Sequence, residues 1–459
     1  MTSFSIQNFG CRVNQAEAFE WSADLERRGF CLRTDGRAAV VVVNTCTLTS
    51  RADRDARKFI RRVVRENPRA KVVVTGCLAE RDPAGLRALP GVRRVLGNSE
   101  KAGIPEAVLA AADLARPSVS SKAPDGSWLG SPPSILAEAA GGRGAPEPST
   151  RRAKSRPFSS FRSRALLKVQ DGCDMSCRFC IIPRVRGRGR SAALGGVLDR
   201  IRRLAAEGFA EVVLTGIHLA SYGTDLRPRS TLLDLVESVE MLPGDFRIRL
   251  SSLDPRFLTP ALVGALTRPG RISPHFHLSF QHGSDRILRA MGRGSTAAEY
   301  RFLLQEFSAR SPEAALGADF IVGFPGETED DFEATAALVR DAPLDYAHVF
   351  SYSPRPGTPA ADDPPVGEAV KKARAARLRL LAEGKNVAFR RRFEGRILDG
   401  IVVRTTPAGG KVLTSNYIDV AVPPNPAPPR KAVRVRITGI SGRETAGKIV
   451  EDRFPESHG

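Results

Sequence analysis

Apolar positions along the chain fall into two alternating textures. Short unbroken apolar runs at SFSIQNF (3–9), AAVVVVN (38–44) and KVVVTG (71–76) predict buried strands. The stretches between them, such as NQAEAFEWSADLERRGF (14–30) and SRADRDARKFIRRVVREN (50–67), repeat apolar residues at helical spacing. Strand–helix–strand alternation implies parallel pairing, so residues 1–114 predict an open parallel α/β sheet. Residues 115–163 are rich in Pro, Ser, Gly and Ala without a period and predict a low-complexity linker. From 164 to 385 the alternation returns with six candidate strands: ALLKV (165–169), EVVLTG (211–216), RIRLSS (247–252), HFHLSF (275–280), ADFIVGF (318–324) and YAHVFSY (346–352). Helical patterns between them, such as 192–208 and 329–342, predict an incomplete (β/α)6 barrel. Residues 386–459 change to short β-like runs broken by Gly and Pro, the pattern of a small all-β barrel.

At 459 residues the chain is too long for one core, which agrees with several units. No run of about 20 apolar residues occurs, so no membrane span is expected. The opening MTSFSIQNFGC lacks the charged-then-apolar pattern of a secretory signal, so a cytoplasmic protein is expected. A net charge of +20 attracts polyanions, nucleic acid first, unless it reflects only a general preference for arginine. Seven cysteines, an odd number, argue against a disulfide framework and for metal binding or catalysis.

Cys173, Cys177 and Cys180 form C-x3-C-x2-C just past the first strand of the central unit, where barrels of this kind build their active sites. A structural zinc normally takes four protein ligands. No fourth Cys or His lies nearby in sequence, His218 being the nearest histidine. A [4Fe–4S] cluster on three thiolates keeps one iron open for another ligand. Cys11, Cys46 and Cys77 each lie one or two residues beyond a predicted parallel strand, which gathers them at one edge of the first sheet. They form either a second open-cornered triad or three packed cysteines. Cys31 belongs at the opposite edge and reads as a packed or surface thiol.

The three-thiol spacing on six βα units resembles the radical S-adenosylmethionine superfamily. The resemblance implies that the cofactor chelates the open iron and is cleaved to a 5′-deoxyadenosyl radical. It also implies that Phe179 lies near the adenine, and that Thr215 and Gly216 stand near the cofactor's amino group, although the fuller Gly-Gly-Glu form is absent. Ser251, Ser252 and Gln281 reach the mouths of later strands, where cofactor contact and plain turn or cap roles both place polar residues; Gly323 and Gly326 fit a tight turn. GCRVNQAE, VVNTCTLTSRADRDARKFIRR, VVVTGCLAE, QDGCDMSCRFCIIPRVRGRGRS, ADFIVGFPGETEDDF and HVFSYSPRPGTPAA together resemble the methylthiotransferase family, and within it the threonylcarbamoyladenosine tRNA subfamily. This implies an auxiliary [4Fe–4S] cluster on Cys11, Cys46 and Cys77. It also implies methylthio transfer to C2 of N6-threonylcarbamoyladenosine at position 37, and a flavodoxin or ferredoxin as electron donor. Phe280 and His282 depart from the family's usual PLQSGSD, which predicts an altered mouth at the fourth strand.

The last unit resembles the TRAM module. Arg390, Arg391, Arg392, Arg396, Arg404, Lys411, Arg434 and Arg436 interleave with its strand-like runs and would hold phosphates of a tRNA anticodon stem-loop, or else form a plain solvated surface. Arg184, Arg186, Arg188 and Arg190 are expected along the entrance beside the first triad. Alternative readings keep the chemistry on isopentenyladenosine or a ribosomal protein, or replace it with an iron–sulfur RNA-binding scaffold.

Overall fold

The computed structural model describes residues 2–112, 163–424 and 427–452, so the expected linker lies outside the described residues except at Ser163. Five parallel strands build the first unit: β1 (Ser3–Asn8), β2 (Cys31–Leu32), β3 (Val40–Thr45), β4 (Lys71–Gly76) and β5 (Val92–Val95), in the order β2-β1-β3-β4-β5. Helices α1 (Arg12–Arg27), α2 (Ser50–Glu66), α3 (Cys77–Arg81), α4 (Pro83–Arg87) and α5 (Ile104–Ala111) cover it. Successive valines of β3 serve opposite cores. Val40 and Val42 pack with Phe4, Trp21 and Val108, and Val41 and Val43 with Ala56, Ile60 and Leu86. Burial on both faces is why the strand reads as unbroken valine.

The central unit has six parallel strands: β6 (Ala165–Lys168), β9 (Glu211–Thr215), β10 (Arg247–Leu250), β11 (His275–Gln281), β12 (Ala315–Val322) and β13 (Tyr346–Ser351). Between β6 and β9, β7 (Gln170–Asp171) and β8 (Arg190–Ser191) form a small antiparallel pair. Isolated bridges Ile248–Ile272 and Leu253–Leu278 join the two three-stranded halves into one open barrel. Its helices are α6 (Ile182–Arg186), α7 (Leu194–Ala206), α8 (Leu232–Glu240), α9 (Pro260–Thr267), α10 (Asp285–Ala290), α11 (Ala297–Arg310), α12 (Glu329–Asp341) and α13 (Glu368–Arg391). Outward residues such as Leu167, Leu214, Ile248, Leu278, Phe320 and Val349 pack with the helices in one large core. By the pleat, their neighbours Lys168, Arg249, His277, Asp319 and His348 line a polar concave face.

Helix α1 belongs to two cores. Ala18, Trp21 and Leu25 pack in the first unit, whereas Phe19 joins the barrel's core and Ala16 packs on Leu166 and Val213 of β6 and β9. On the same helix burial pushes the Glu20 carboxyl up to about 7, against the opposing pull of Lys168 and Arg200. A carboxyl raised in the folded state adds stability that is complete below its unfolded pKa and lost as pH rises through the folded value. Glu20→Gln is therefore expected to stabilise the protein by about 2 kcal/mol at pH 8, with the gain shrinking towards pH 5. Thermal melts at the two pH values check this.

Helix α13 runs on to Arg391, beyond the boundary expected at 385, and Phe389 and Phe393 enter the core of the last unit. That unit is a closed barrel of β14 (Ile397–Thr406), β15 (Gly409–Thr414), β16 (Asp419–Val422), β17 (Ala432–Ser441) and β18 (Glu444–Asp452), in the order β14-β15-β16-β18-β17. Its 414–418 loop closes the N-terminal end of the central lumen: Tyr417, at φ +71°, stacks on His275 with ring centroids 4.0 Å apart. Arg249, paired with Glu211, also donates to the Ser415 carbonyl at 3.1 Å. The basic residues expected on this barrel do not form one uniform surface. Arg390 is buried on α13 and donates to Gly442, Glu444 and Thr445, so it is a strut, because the helix extends where a strand edge was expected. Arg392, Arg396 and Lys411 pair with Asp345, Glu313 and Asp419, and Arg436 donates to the Gly395 carbonyl at 3.2 Å; Arg391, Arg404 and Arg436 are exposed and Arg434 is half-buried. No helix among the described residues is long and apolar enough to cross a membrane.

Candidate active site

Cys173, Cys177 and Cys180 sit on the loop between β7 and α6. Gly172 opens it at φ +70°, and a Cβ there would stand 1.9 Å from the Arg188 carbonyl, so only glycine fits. The loop is pinned by backbone bonds from Cys173 to Gly187 (3.1 Å), from Arg178 to Met291 (3.0 Å) and from Ala360 to Arg178 (3.0 Å). Burial pushes the Cys180 thiol up to about 12, and its neighbours Cys177 and Cys173 push the same way. Cys173 is raised for the same leading reason. A bound metal would favour the thiolate form that such half-buried thiols otherwise resist.

Cys11, Cys46 and Cys77 converge at the C-terminal edge of the first sheet. Cys11 is the N-cap of α1, Cys46 follows β3, and Cys77 opens α3 directly after β4. Asn14 ties the first two loops together by donating to the carbonyls of Phe9 and Thr45, both at 2.9 Å. At Gly10, φ +108°, a Cβ would lie 2.8 Å from the Cys46 sulfur. Burial pushes Cys46 up to about 12, with Cys77 and Cys11 adding to the shift. Cys31 lies at the start of β2, on the opposite edge as expected.

The two triads share one wall. Cys77 packs with Ile181, Ile182 and Val185, and the same apolar cluster takes in the half-buried Cys173 and Cys180. Arg186, at the end of α6, is fully buried rather than lining an entrance. Its Nε donates to the Cys77 sulfur at 3.3 Å, and Nη1 pairs with Glu17 at 3.0 Å and Asp171 at 2.8 Å. Lys101 and Lys168 bind the same Glu17 carboxylate at 2.5 and 3.2 Å. Burial alone would raise Glu17, but Arg186, Lys101 and Lys168 outweigh it and hold the carboxyl well below its usual range. The same guanidinium and Lys168 keep Asp171 at about 2 against its burial. Arg184, Arg188 and Arg190 are exposed.

Phe179 packs half-buried against Ile287, Met291, Phe324 and Tyr352, beneath the first triad's loop. Thr215 Oγ1 and Ser251 Oγ, at the ends of β9 and β10, are buried and without a hydrogen-bond partner among the described residues. Such orphans on the rim beside three thiols suit a polar cofactor. A Cβ on Gly216 would meet Gln170 at 2.9 Å. Gln281 adopts φ +81° at the end of β11, a strained backbone that a rim position sustains. Gly323 and Gly326 take φ +73° and +78°, and Glu327 accepts from the Gly323 and Phe324 amides, which makes the expected turn. Phe280 and His282 do not alter the mouth. Phe280 stacks on Tyr300 under the helices, and His282 is buried beside Thr335 and Glu327, because both fall on the outward side of the pleat.

Sequence reasoning assigned no role to three further residues, although Arg355 lies within the quoted HVFSYSPRPGTPAA. Arg293 reaches Cys177 at 3.8 Å and Asp254 at 2.9 Å. Asp254 is kept far below its usual range, against its burial, by Arg256, His218 and Arg293. Arg355 crosses from the central unit to Asp53 (2.8 Å) and the Thr47 carbonyl (3.2 Å) of the first. Apart from the Asp254–Arg256 pair, these contacts join residues far apart in the chain, so no local pattern gives their partners.

An open (β/α)6 barrel with three thiols past its first strand defines the class of the radical S-adenosylmethionine enzymes. The model of the radical SAM superfamily matches residues 167–339, and that of the uncharacterized protein family UPF0004 matches residues 3–97. The chain is 34% identical to the threonylcarbamoyladenosine tRNA methylthiotransferase MtaB of Thermotoga maritima, over 86% of this chain and 85% of that one. It is 36% identical to the Rickettsia prowazekii MtaB (82% and 81%) and 32% identical to that of Bacillus subtilis (99% and 99%). The fold is shared with the radical S-adenosylmethionine methyltransferase TsrM of Kitasatospora setae, with a TM-score of 0.54 at 15% identity, over 79% of this chain and 75% of that one. The chain belongs to the MtaB family of radical SAM tRNA methylthiotransferases. It is an enzyme of tRNA modification that works with iron–sulfur and S-adenosylmethionine chemistry.

Proposed function

We propose that this enzyme transfers a methylthio group to C2 of N6-threonylcarbamoyladenosine at position 37 of tRNA. One [4Fe–4S] cluster is held by Cys173, Cys177 and Cys180, and a second by Cys11, Cys46 and Cys77. The observation that carries this reading is the shared wall: two triads, each one thiolate short of a closed site, meet across α6. A scaffold whose clusters only braced the fold would close its coordination. When bound, the clusters and S-adenosylmethionine supply the one-electron chemistry and the methyl group that an unactivated aromatic C–H demands.

The chain's own residues do the rest. Thr215, Gly216, Ser251, Gln281 and Phe179 line the cofactor's side of the first triad. Ile181, Ile182 and Val185 keep water from the space between the triads. Arg186 sets a fixed positive charge against the Cys77 sulfur. A base in an anticodon loop is already unpaired and enters such a site at modest cost. The exposed Arg391, Arg404 and Arg436 hold RNA phosphates, and a flavodoxin or ferredoxin supplies electrons. The polar concave face favours threonylcarbamoyladenosine over isopentenyladenosine, whose arm is apolar.

Mass spectrometry of tRNA nucleosides from a strain lacking the gene tests this. The 2-methylthio group should vanish from threonylcarbamoyladenosine and return when the gene is restored. An unchanged nucleoside profile would refute the assignment.

A further inference from the structure

The floor of the central lumen carries polar side chains that neither triad uses. His275 Nε2 lies 2.7 Å from the Tyr346 hydroxyl. Further along the strands, an Asp319 carboxylate oxygen stands between His277 Nε2 at 3.4 Å and His348 Nδ1 at 3.2 Å. Ser252 Oγ is 2.9 Å from His277 Nδ1. His277 is only 6% exposed, and its Nε2 makes no well-aligned hydrogen bond among the described residues. His348 opens to solvent, with its side chain 54% exposed.

Arg12 enters from the first unit, one residue after Cys11. Its guanidinium donates to the Tyr417 hydroxyl at 2.8 Å and acts electrostatically on His275, His277 and Tyr346. It pairs with no carboxylate among the described residues. A half-buried guanidinium without a counter-ion favours an anionic ligand, and a carboxylate between imidazoles favours donors.

We propose that Arg12, His277, Asp319 and His348 read the threonylcarbamoyl arm of the substrate nucleoside, an inference that rests on the assignment above. Arg12 takes the arm's carboxylate, Asp319 accepts from its hydroxyl or urea N–H, and the imidazoles meet the remaining polar atoms. Because Arg12 adjoins Cys11, holding the arm also sets the base relative to the second triad. His277, Asp319 and His348 do offer ligand atoms within 4.8 Å of one another, the donor set of a divalent metal. The neighbouring guanidinium disfavours a dication there and favours the anion.

The test uses the full chain, reconstituted anaerobically, and anticodon stem-loops bearing threonylcarbamoyladenosine, adenosine or isopentenyladenosine at position 37. Fluorescence anisotropy should show the wild-type protein binding the first about tenfold or more tighter than the second. Arg12→Gln, His277→Asn and Asp319→Asn should each lose most of that preference while their affinity for the adenosine stem-loop stays within about twofold. Iron content screens for misfolding; should Arg12→Gln disturb the adjacent Cys11 site, the other two variants decide. Preference retained in the variants overturns the proposal alone. Stoichiometric zinc that disappears in His277→Asn overturns it in favour of a metal. A wild-type protein that prefers isopentenyladenosine, or shows no preference, overturns the nucleoside assignment and the proposal together.

Discussion

Alanine at Cys173, Cys177 and Cys180 together is expected to remove about four irons per chain and to abolish 5′-deoxyadenosine release on reduction. Alanine at Cys11, Cys46 and Cys77 removes about four others. That second triple is expected still to release 5′-deoxyadenosine but to form no methylthio product, since the cofactor contacts proposed at Thr215 and Ser251 lie on the first triad's side. Cys31→Ala, at the far edge of the sheet, keeps its full iron content. Iron and sulfide counting on anaerobically purified protein, with chromatography of the reaction products, reads all three. A single iron–sulfur centre in the wild-type protein, or zinc in place of either cluster, would remove the basis of the proposed function.

Glu17→Ala is expected to be the most destabilising single substitution at the junction of the two units. Glu17 is the common partner of Arg186, Lys101 and Lys168, and its side chain is 2% exposed. Its removal leaves buried cations with too little negative charge, a loss of about 3–5 kcal/mol where whole domains are stable by about 5–15. The urea midpoint of unfolding should fall accordingly. Adding Arg186→Met to Glu17→Ala should recover part of the loss, because the charge left unpaired goes with it. Equal midpoints for wild type and Glu17→Ala would show that water reaches this network.

Much of this architecture is legible in local pattern. The valine runs of β3 and β4, the six strands of the barrel and the Cys173–Cys180 spacing each follow from a period or a motif, and the structure has them where the pattern puts them. β2 and β5 escaped because a two-residue strand and VRRV carry too little apolar signal to stand out. Arg186 was misjudged for a related reason. In RVRGRGRS it looks like its exposed neighbours, and only the return of α1 across the barrel buries it against Glu17. Phe280 and His282 were placed at the mouth because position along a strand was legible but the side of the pleat was not. The lumen pocket required four elements from two units, among them Arg12 beside a cysteine that had already drawn notice.

Tyr417 gives the C-terminal barrel a task inside the central unit, apart from the RNA contacts proposed for its surface. Its loop is a stopper in the floor of the reaction chamber, held by the ring of His275 and the guanidinium of Arg12. A protein truncated before Ile397 would thus lose more than the proposed phosphate contacts. Solvent would flood the chamber from below, and cofactor would be spent on quenched radicals with no nucleoside product to show for it.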